Sequence, residues 1–259
     1  MKILIVGDTH GNVSTIAYID QWCANHGIDV VFQVGDFGIH WPGQTCRVHQ
    51  FFHKKARKER PGPTWYTCGG NHDNYVKLEA LNASQEKRNV FSNLIEYTDG
   101  CYYVKRTESI SFDGMSFLFF GGTESTDAAY RTPGLNWWAA ETPTEEEFQL
   151  LFDNWEKHKP DVIISHEAPT SVRPDRAPGL NPHSGYRTNH TSHHLQRVME
   201  LTDHQPTLWF YGHHHSLIQQ DHYGTRFQCC GINPPQWTAE KFEGVLLDTE
   251  TGLISSPFE

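Results

Sequence analysis

Five short clusters of Asp, His, Asn and Gly, each following directly on an apolar run, constrain this chain more than any other feature. They are Gly7-Asp8-Thr9-His10-Gly11, Gly35-Asp36-Phe37-Gly38, Gly70-Asn71-His72-Asp73, Ser165-His166-Glu167-Ala168-Pro169 and Gly212-His213-His214-His215. The runs before them (residues 2–6, 30–34, 64–68, 162–165 and 208–211), like 116–120, are short, rich in β-branched or aromatic residues and bounded by Gly, Asp or Asn. That is the pattern of buried strands. In an open α/β sheet the carboxyl ends of the strands share one edge, where ligands bind. The five clusters are therefore expected to meet at one site. A single Asp or His at a strand end is commonly a turn former or a satisfied polar residue, but five in the same position are a poor fit to chance. Alternation along an extended segment predicts that Asp8 and His10 point the same way, and likewise His213 and His215, so that each pair can hold one metal ion. The adjacent glycines let the backbone turn away tightly.

Helical patterns separate the strands at residues 13–24, 47–59, 148–158 and 195–201, and another helix begins near Asn74. Thr144 with Glu147 three residues on is a capping box preceded by Pro143, which marks a helix start. Alternating strands and helices predict an α/β fold, and the later hairpin-like strands (101–105, 110–112, 116–120, 225–230, 245–248) predict a second, mixed sheet. A chain of 259 residues is long enough to bury a sizeable core. It reads as one domain, 1–259, with loop insertions near 123–142 and 170–189. Both insertions lack periodicity, and loops of about 20 residues inside a compact domain are usually functional. Their Tyr130, Trp137, Trp138 and Tyr186 are costly to leave in water, which argues against plain surface excursions.

Composition removes several function classes. Lys plus Arg is 21 and Asp plus Glu is 31, a net charge of −10 with His neutral. Such a surface repels phosphate backbones and anionic membranes, so nucleic acid is a disfavoured partner. The local exception is Lys54, Lys55, Arg57, Lys58 and Arg60, read as a solvated helix end that suits the helix dipole. No stretch approaches the ~20 apolar residues of a membrane span, and the apolar residues after Lys2 are too few for a secretory signal, so a cytoplasmic protein without a membrane partner is expected. The six cysteines show no Cys-x-x-Cys spacing and read as reduced thiols. The anomaly is 17 histidines, several of them inside the five clusters.

These clusters resemble the calcineurin-like metallophosphoesterase family, whose pattern is Asp-x-His, Gly-Asp, Gly-Asn-His-Asp/Glu, a lone His, and Gly-His-x-His. The match is complete in order and runs from residue 8 to 215. The resemblance implies a four-layer α/β sandwich, two mixed β-sheets flanked by helices. It implies one metal held by Asp8, His10, Asp36 and His215 and another by Asp36, Asn71, His166 and His213, with Asp36 bridging. The implied activity is hydrolysis of phosphomonoesters or phosphodiesters by attack of a metal-bound hydroxide, with a small phosphorylated substrate. Imidazole, carboxylate and amide donors without thiolate suit two divalent ions from Mn, Fe, Zn, Ni or Co rather than Mg or Ca. Two such ions against the carboxylates of Asp8 and Asp36 leave about +2, enough to draw a phosphate ester to an acidic protein.

The same resemblance makes His72 the proton donor to the leaving oxygen. Asp73 either orients His72 or caps the helix that follows. His214, between two ligands, is expected to point away from the metals. Gly35-Asp36 runs into Phe37-Gly38, where the Ser/Thr protein phosphatases of the family continue with Asp-Arg, which argues against that branch. The stretch from Gly121 to Asp127, with Arg131, Gly134, Trp137, Trp138 and Glu141, looks like an insertion of phage and bacterial members. Arg131 and Arg187, with Arg173 and Arg176, are candidates for binding substrate phosphate oxygens. Three rival readings remain: a nuclease of the same fold, a cyclic-nucleotide phosphodiesterase using Trp41, Tyr130, Trp137 or Trp138 to stack a base, and a non-catalytic metal-binding scaffold.

Overall fold

The structure is a computed structural model that describes residues 1–38, 45–58, 62–87, 93–174, 189–231 and 242–258. Strand and helix alternate first: β1 (Lys2–Val6), α1 (Val13–His26), β2 (Val30–Gln33), α2 (Thr45–Lys55), β3 (Thr64–Thr67) and α3 (Tyr75–Glu86). Four strands follow, β4 (Leu94–Thr98), β5 (Cys101–Val104), β6 (Ser109–Phe112) and β7 (Met115–Phe120). Then come α4 (Glu145–His158), β8 (Val162–Ser165), α5 (His190–Leu201), β9 (Leu208–Tyr211), β10 (Ile218–His222), β11 (Thr225–Cys229), β12 (Gly244–Asp248) and β13 (Ile254–Ser255). Local signals set the helix ends. Asn12 accepts from Thr15 N at the start of α1, which stops at Gly27 in the left-handed region. The capping box of α4 forms between Thr144 and Glu147 as its spacing predicts. Helix α5 begins five residues before the apolar pattern does, because its first turn is polar and is capped by Asn189.

One sheet has seven strands in the order β13-β12-β1-β2-β3-β5-β4 and the other six in the order β10-β11-β9-β8-β7-β6. Both are mixed, and helices cover them as in the metallophosphoesterase sandwich. Period-two alternation distributes each central strand between two apolar layers. Ile3, Ile5, Val30 and Phe32 face inward onto Phe117, Phe119, Ile164 and Phe210 of the other sheet. Leu4, Val6 and Val31 face outward into a layer with Ile16, Ile19, Phe52 and Leu78 of the first three helices. Leu118, Ile163 and Trp209 meet Phe148, Trp155 and Leu195 of α4 and α5 on the far side.

Two expected members of the second sheet belong to the first. Residues 101–104 pair with β3 in parallel, and residues 244–248 pair with β1 antiparallel. A continuous apolar run reports that a strand is buried on both faces and carries no information on its neighbour. Strands β4, β10 and β13 were not expected. Strand β10 is largely polar and lies at the edge of its sheet, where it can stay wet on one side. Within the basic run, Lys55 is not solvated: its ammonium is buried against Asp20 Oδ1 at 2.5 Å, and Trp65 Nε1 donates to the same oxygen at 3.2 Å. Among the described residues no helix is long and apolar enough to cross a membrane.

Strands β1, β2, β3 and β5 run parallel in one sheet, and β7, β8, β9 and β11 in the other. Their carboxyl ends therefore open on a common edge. All five clusters lie there.

Candidate metal centre

Side chains from the five strand ends converge into one group. Asp8 Oδ2 is 3.1 Å from His215 Nε2 and 4.0 Å from His10 Nε2, and the two imidazole nitrogens are 3.3 Å apart. On the other side Asn71 Oδ1 is 3.1 Å from both His166 Nε2 and His213 Nδ1. Asp36 lies between them, with Oδ1 3.4 Å from His166 Nε2 and Oδ2 3.9 Å from His10 Nδ1. All seven expected ligands are thus brought together. Asp8, Asp36, Asn71 and His166 are buried.

The backbone that presents them is not extended. His10, Asp36, His213 and His215 have φ of 45°, 54°, 65° and 51°, the left-handed region that costs non-glycine residues energy and collects at functional sites. The alternation argument consequently holds for Asp8 and His10 and fails for His213 and His215, which diverge to opposite sides of Asp36. Room is made by absence: a Cβ on Gly70 would collide with the backbone nitrogen and carboxylate of Asp36, and one on Gly212 with Asp8 Oδ1. Behind the loops the buried amide of Gln33 donates to Gly7 O and Gly35 O and accepts from Gly35 N and Thr67 Oγ1.

The donor set fits a cation. Asp8 Oδ2 is buried and is met by the imidazoles of His215 and His10; a buried carboxylate is costly unless a positive charge compensates it. Burial by itself would raise the Asp36 carboxyl, but the imidazoles of His166, His72 and His10 hold it below the usual carboxylate range. Burial pushes His213 down to about 3, which keeps its ring neutral, the form able to ligate a metal.

A cavity of about 210 Å³ opens over the group, lined by Asp36, Asn71 and His72 and by Thr126, Asp127 and Arg131 of the first insertion. Arg131 Nη1 donates to Asn71 O at 3.0 Å and Ser125 Oγ at 2.9 Å, while Nη2 lies 2.7 Å from His72 Nε2 and 2.7 Å from Asp127 Oδ1. The insertion therefore does fold over the edge and delivers Arg131 to it. His72 Nε2 is 4.0 Å from Asp36 Oδ2 and its ring meets that of His10 edge-on. Arg173 turns inward, with Nε 3.6 Å from Glu167 Oε1. Trp138 is buried, whereas Tyr130 is 92% exposed. Trp41, Arg176, Tyr186 and Arg187 lie outside the described residues.

Asn74, rather than Asp73, caps α3, accepting from Lys77 N. Asp73 is a buried carboxylate that accepts from the backbone of Gly38 at 2.8 Å, Gly70 at 2.8 Å and Phe37 at 3.3 Å, tying the loop after β2 to the loop after β3. His214, between two candidate ligands, turns instead to Glu167 Oε1 at 2.7 Å.

Glu167 is the residue that sequence reasoning passed over. Fully buried, it accepts from His214, Asn189 Nδ2 and Thr123 Oγ1, and its Oε2 is 3.7 Å from Nε2 of His213, the nitrogen opposite the one facing Asn71. Burial would raise its carboxyl, yet His214, hydrogen-bonded to it, holds it well below the usual range. A carboxylate behind a metal-facing imidazole fixes tautomer and ring orientation. The signal in the sequence was a charged residue directly after a buried strand and a candidate ligand.

Residues 1–217 match the calcineurin-like phosphoesterase family. The chain belongs to that family, which is dinuclear-metal dependent and of which the donor clusters above are a fitting part. A search of curated proteins finds no match. Among solved structures the fold is similar to that of TT1561 of Thermus thermophilus, at 15% identity and a TM-score of 0.52 over 98% of this chain and 96% of that one. It is also similar to GAP50, the anchor in the inner membrane complex of Plasmodium, at 11% identity and a TM-score of 0.52 over 95% of this chain and 80% of that one. Both likenesses concern the fold.

Proposed function

We propose that the protein, acting as a single domain, hydrolyses phosphomonoesters or phosphodiesters of small substrates with two divalent transition-metal ions. Asp8, His10, Asp36 and His215 would hold one ion, and Asp36, Asn71, His166 and His213 the other. The observation that carries this reading is the convergence of seven donors from five strand ends, four of them on left-handed backbone. Ions bound there supply an activated water and neutralise charge on the phosphoryl oxygens of an in-line displacement.

The remaining tasks fall to the chain. Arg131 offers its guanidinium to non-bridging phosphate oxygens. An anionic acceptor in the cavity would draw it from His72 Nε2, leaving that nitrogen free to take up a proton from solvent and pass it to the leaving-group oxygen. Asp73 keeps the Asp36 and Asn71 loops at a fixed separation through its three backbone hydrogen bonds. The intact donor set together with His72 supports catalysis over a scaffold, since a scaffold has no use for a proton donor. The deciding experiment assays metal-loaded protein against phosphomonoesters, phosphodiesters, cyclic nucleotides and single-stranded DNA. Turnover of at least one class that a chelator abolishes is expected; inactivity on all of them with two ions bound would establish the scaffold. Selective loss on cyclic nucleotides in Tyr130→Ala would identify the exposed ring as a base platform.

A further inference from the structure

We propose that Glu145, His190 and His194 form a further metal site, sharing no residue with the strand-end centre, that takes a zinc-like divalent ion at the joint of α4 and α5. His190 and His194 are four residues apart on α5 and so share a helix face. Glu145 opens α4 opposite them. His190 Nε2 is 2.9 Å and His194 Nε2 3.3 Å from the same oxygen, Glu145 Oε1. A tetrahedral ion with bonds of about 2.0–2.2 Å separates its donors by about 3.3–3.6 Å, so both nitrogen–oxygen separations lie within about 0.7 Å of that range. Two imidazoles and one carboxylate are a donor set for zinc and its neighbours.

The imidazoles are held and oriented for this. Phe148, itself buried, stacks on His194 at 4.5 Å and 23°, and the two histidine rings lie 4.1 Å apart. Glu124 Oε1 is 3.8 Å from Nδ1 of His190, the nitrogen opposite the one facing Glu145. Glu124 is anchored in turn by Thr191, which donates from Oγ1 at 2.8 Å and from its backbone at 3.2 Å. A carboxylate on one ring nitrogen directs the lone pair of the other toward a metal. The triad adjoins a surface cleft of about 260 Å³ lined by Phe148, Phe152, Val198 and Leu201, which leaves room for a water as fourth ligand. The positive ends of two helices and Arg197 oppose a cation; Glu145, Glu146 and Glu124 offset them.

Such an ion would fasten the start of α4 to the start of α5. Helix α5 begins at Asn189, whose side chain donates to Glu167 Oε2 at 2.6 Å. The ion would therefore brace the element that stands behind His213 and His214.

The competing arrangement, two Nε2–H groups sharing one carboxylate oxygen, needs no ion, and zinc content separates the two. Wild-type protein, His190→Gln, His194→Gln, Glu145→Gln and the control His193→Gln are dialysed against the same low-micromolar free zinc and analysed for zinc and for thermal stability. His193 is exposed on the same helix and outside the triad. Wild type and His193→Gln are expected to hold one equivalent more than the three triad variants and to gain more in Tm from zinc. Equal zinc in all five proteins, or the same loss in the control, would overturn the site. Should His194→Gln fold poorly because it leaves the Phe148 stack, Glu145→Gln, at a position 67% exposed, reads the same stoichiometry.

Discussion

The cluster at the strand ends and the cluster at the α4–α5 joint use the same side-chain chemistry and differ in what it takes to build them. At the strand ends, donors come from five loops, Asp8 and His166 are wholly buried, and four of the residues stand on left-handed backbone. Each of those features opposes folding by an amount that neighbours must offset. At the joint, two donors follow from helical spacing alone, the backbone is ordinary, and the side chains of His190 and Glu145 are 45% and 67% exposed. A site assembled against the grain of the chain is held by many partners and fails together. One that falls out of a helix register can be gained or lost at little consequence to the fold. Asn189 joins the two, capping α5 with its oxygen and donating to Glu167 with its nitrogen.

The contrast is broken most severely at Asp36. Asp36→Asn is expected to reduce metal content at both positions of the strand-end centre and to bring turnover down to that of chelator-treated protein. Elemental analysis showing loss of one ion only would remove Asp36 from its middle position. His72→Ala should keep both ions, because it is outside the proposed ligand set, and lose about 10²–10⁴-fold in turnover on esters with poor leaving groups. Nitrophenyl esters, whose leaving group departs without a proton, should lose far less; equal losses on both would assign His72 to binding instead.

Smaller effects test the packing around the centre. In Gly212→Ala the new methyl meets the carboxylate of Asp8, and overpacking of this kind costs about 1–3 kcal/mol, read as a lower urea midpoint together with weaker metal retention. Asn189→Ala should cost about 0.5–2 kcal/mol as a lost helix cap and, unlike an ordinary cap, should also weaken metal binding, since Glu167 loses a donor. A pure stability loss with metal affinity intact would show that the two clusters are independent. The mildest variant is Glu145→Gln in chelator-treated protein, where an exposed substitution should change stability by no more than about 0.5 kcal/mol. A larger change without any ion would mean that the hydrogen bonds of the joint, rather than a metal, are what it contributes.

The strand ends and their donors were legible because the relevant signals are local. Apolar runs, the glycines beside them and the order of Asp8, His10, Asp36, Asn71, His166, His213 and His215 need no partner to be read. The capping box at Thr144 was visible for the same reason. Sheet membership was not: strands β5 and β12 read as members of the later sheet, since burial on both faces looks the same whichever strand lies alongside.

Chain order and residue type by themselves settled the α/β class and which polar residues stand at the strand ends. Local alternation would keep His213 and His215 together, and the tertiary structure parts them. Their left-handed backbone is imposed by contacts such as His213 N with Asp8 Oδ1, 205 residues away in sequence. It also decided that Asp73 joins two loops instead of capping a helix, and that Glu167 stands behind His213. Burying a carboxylate is a debt that only distant donors can settle, and no stretch of sequence around Glu167 names Asn189 or His214 as those donors.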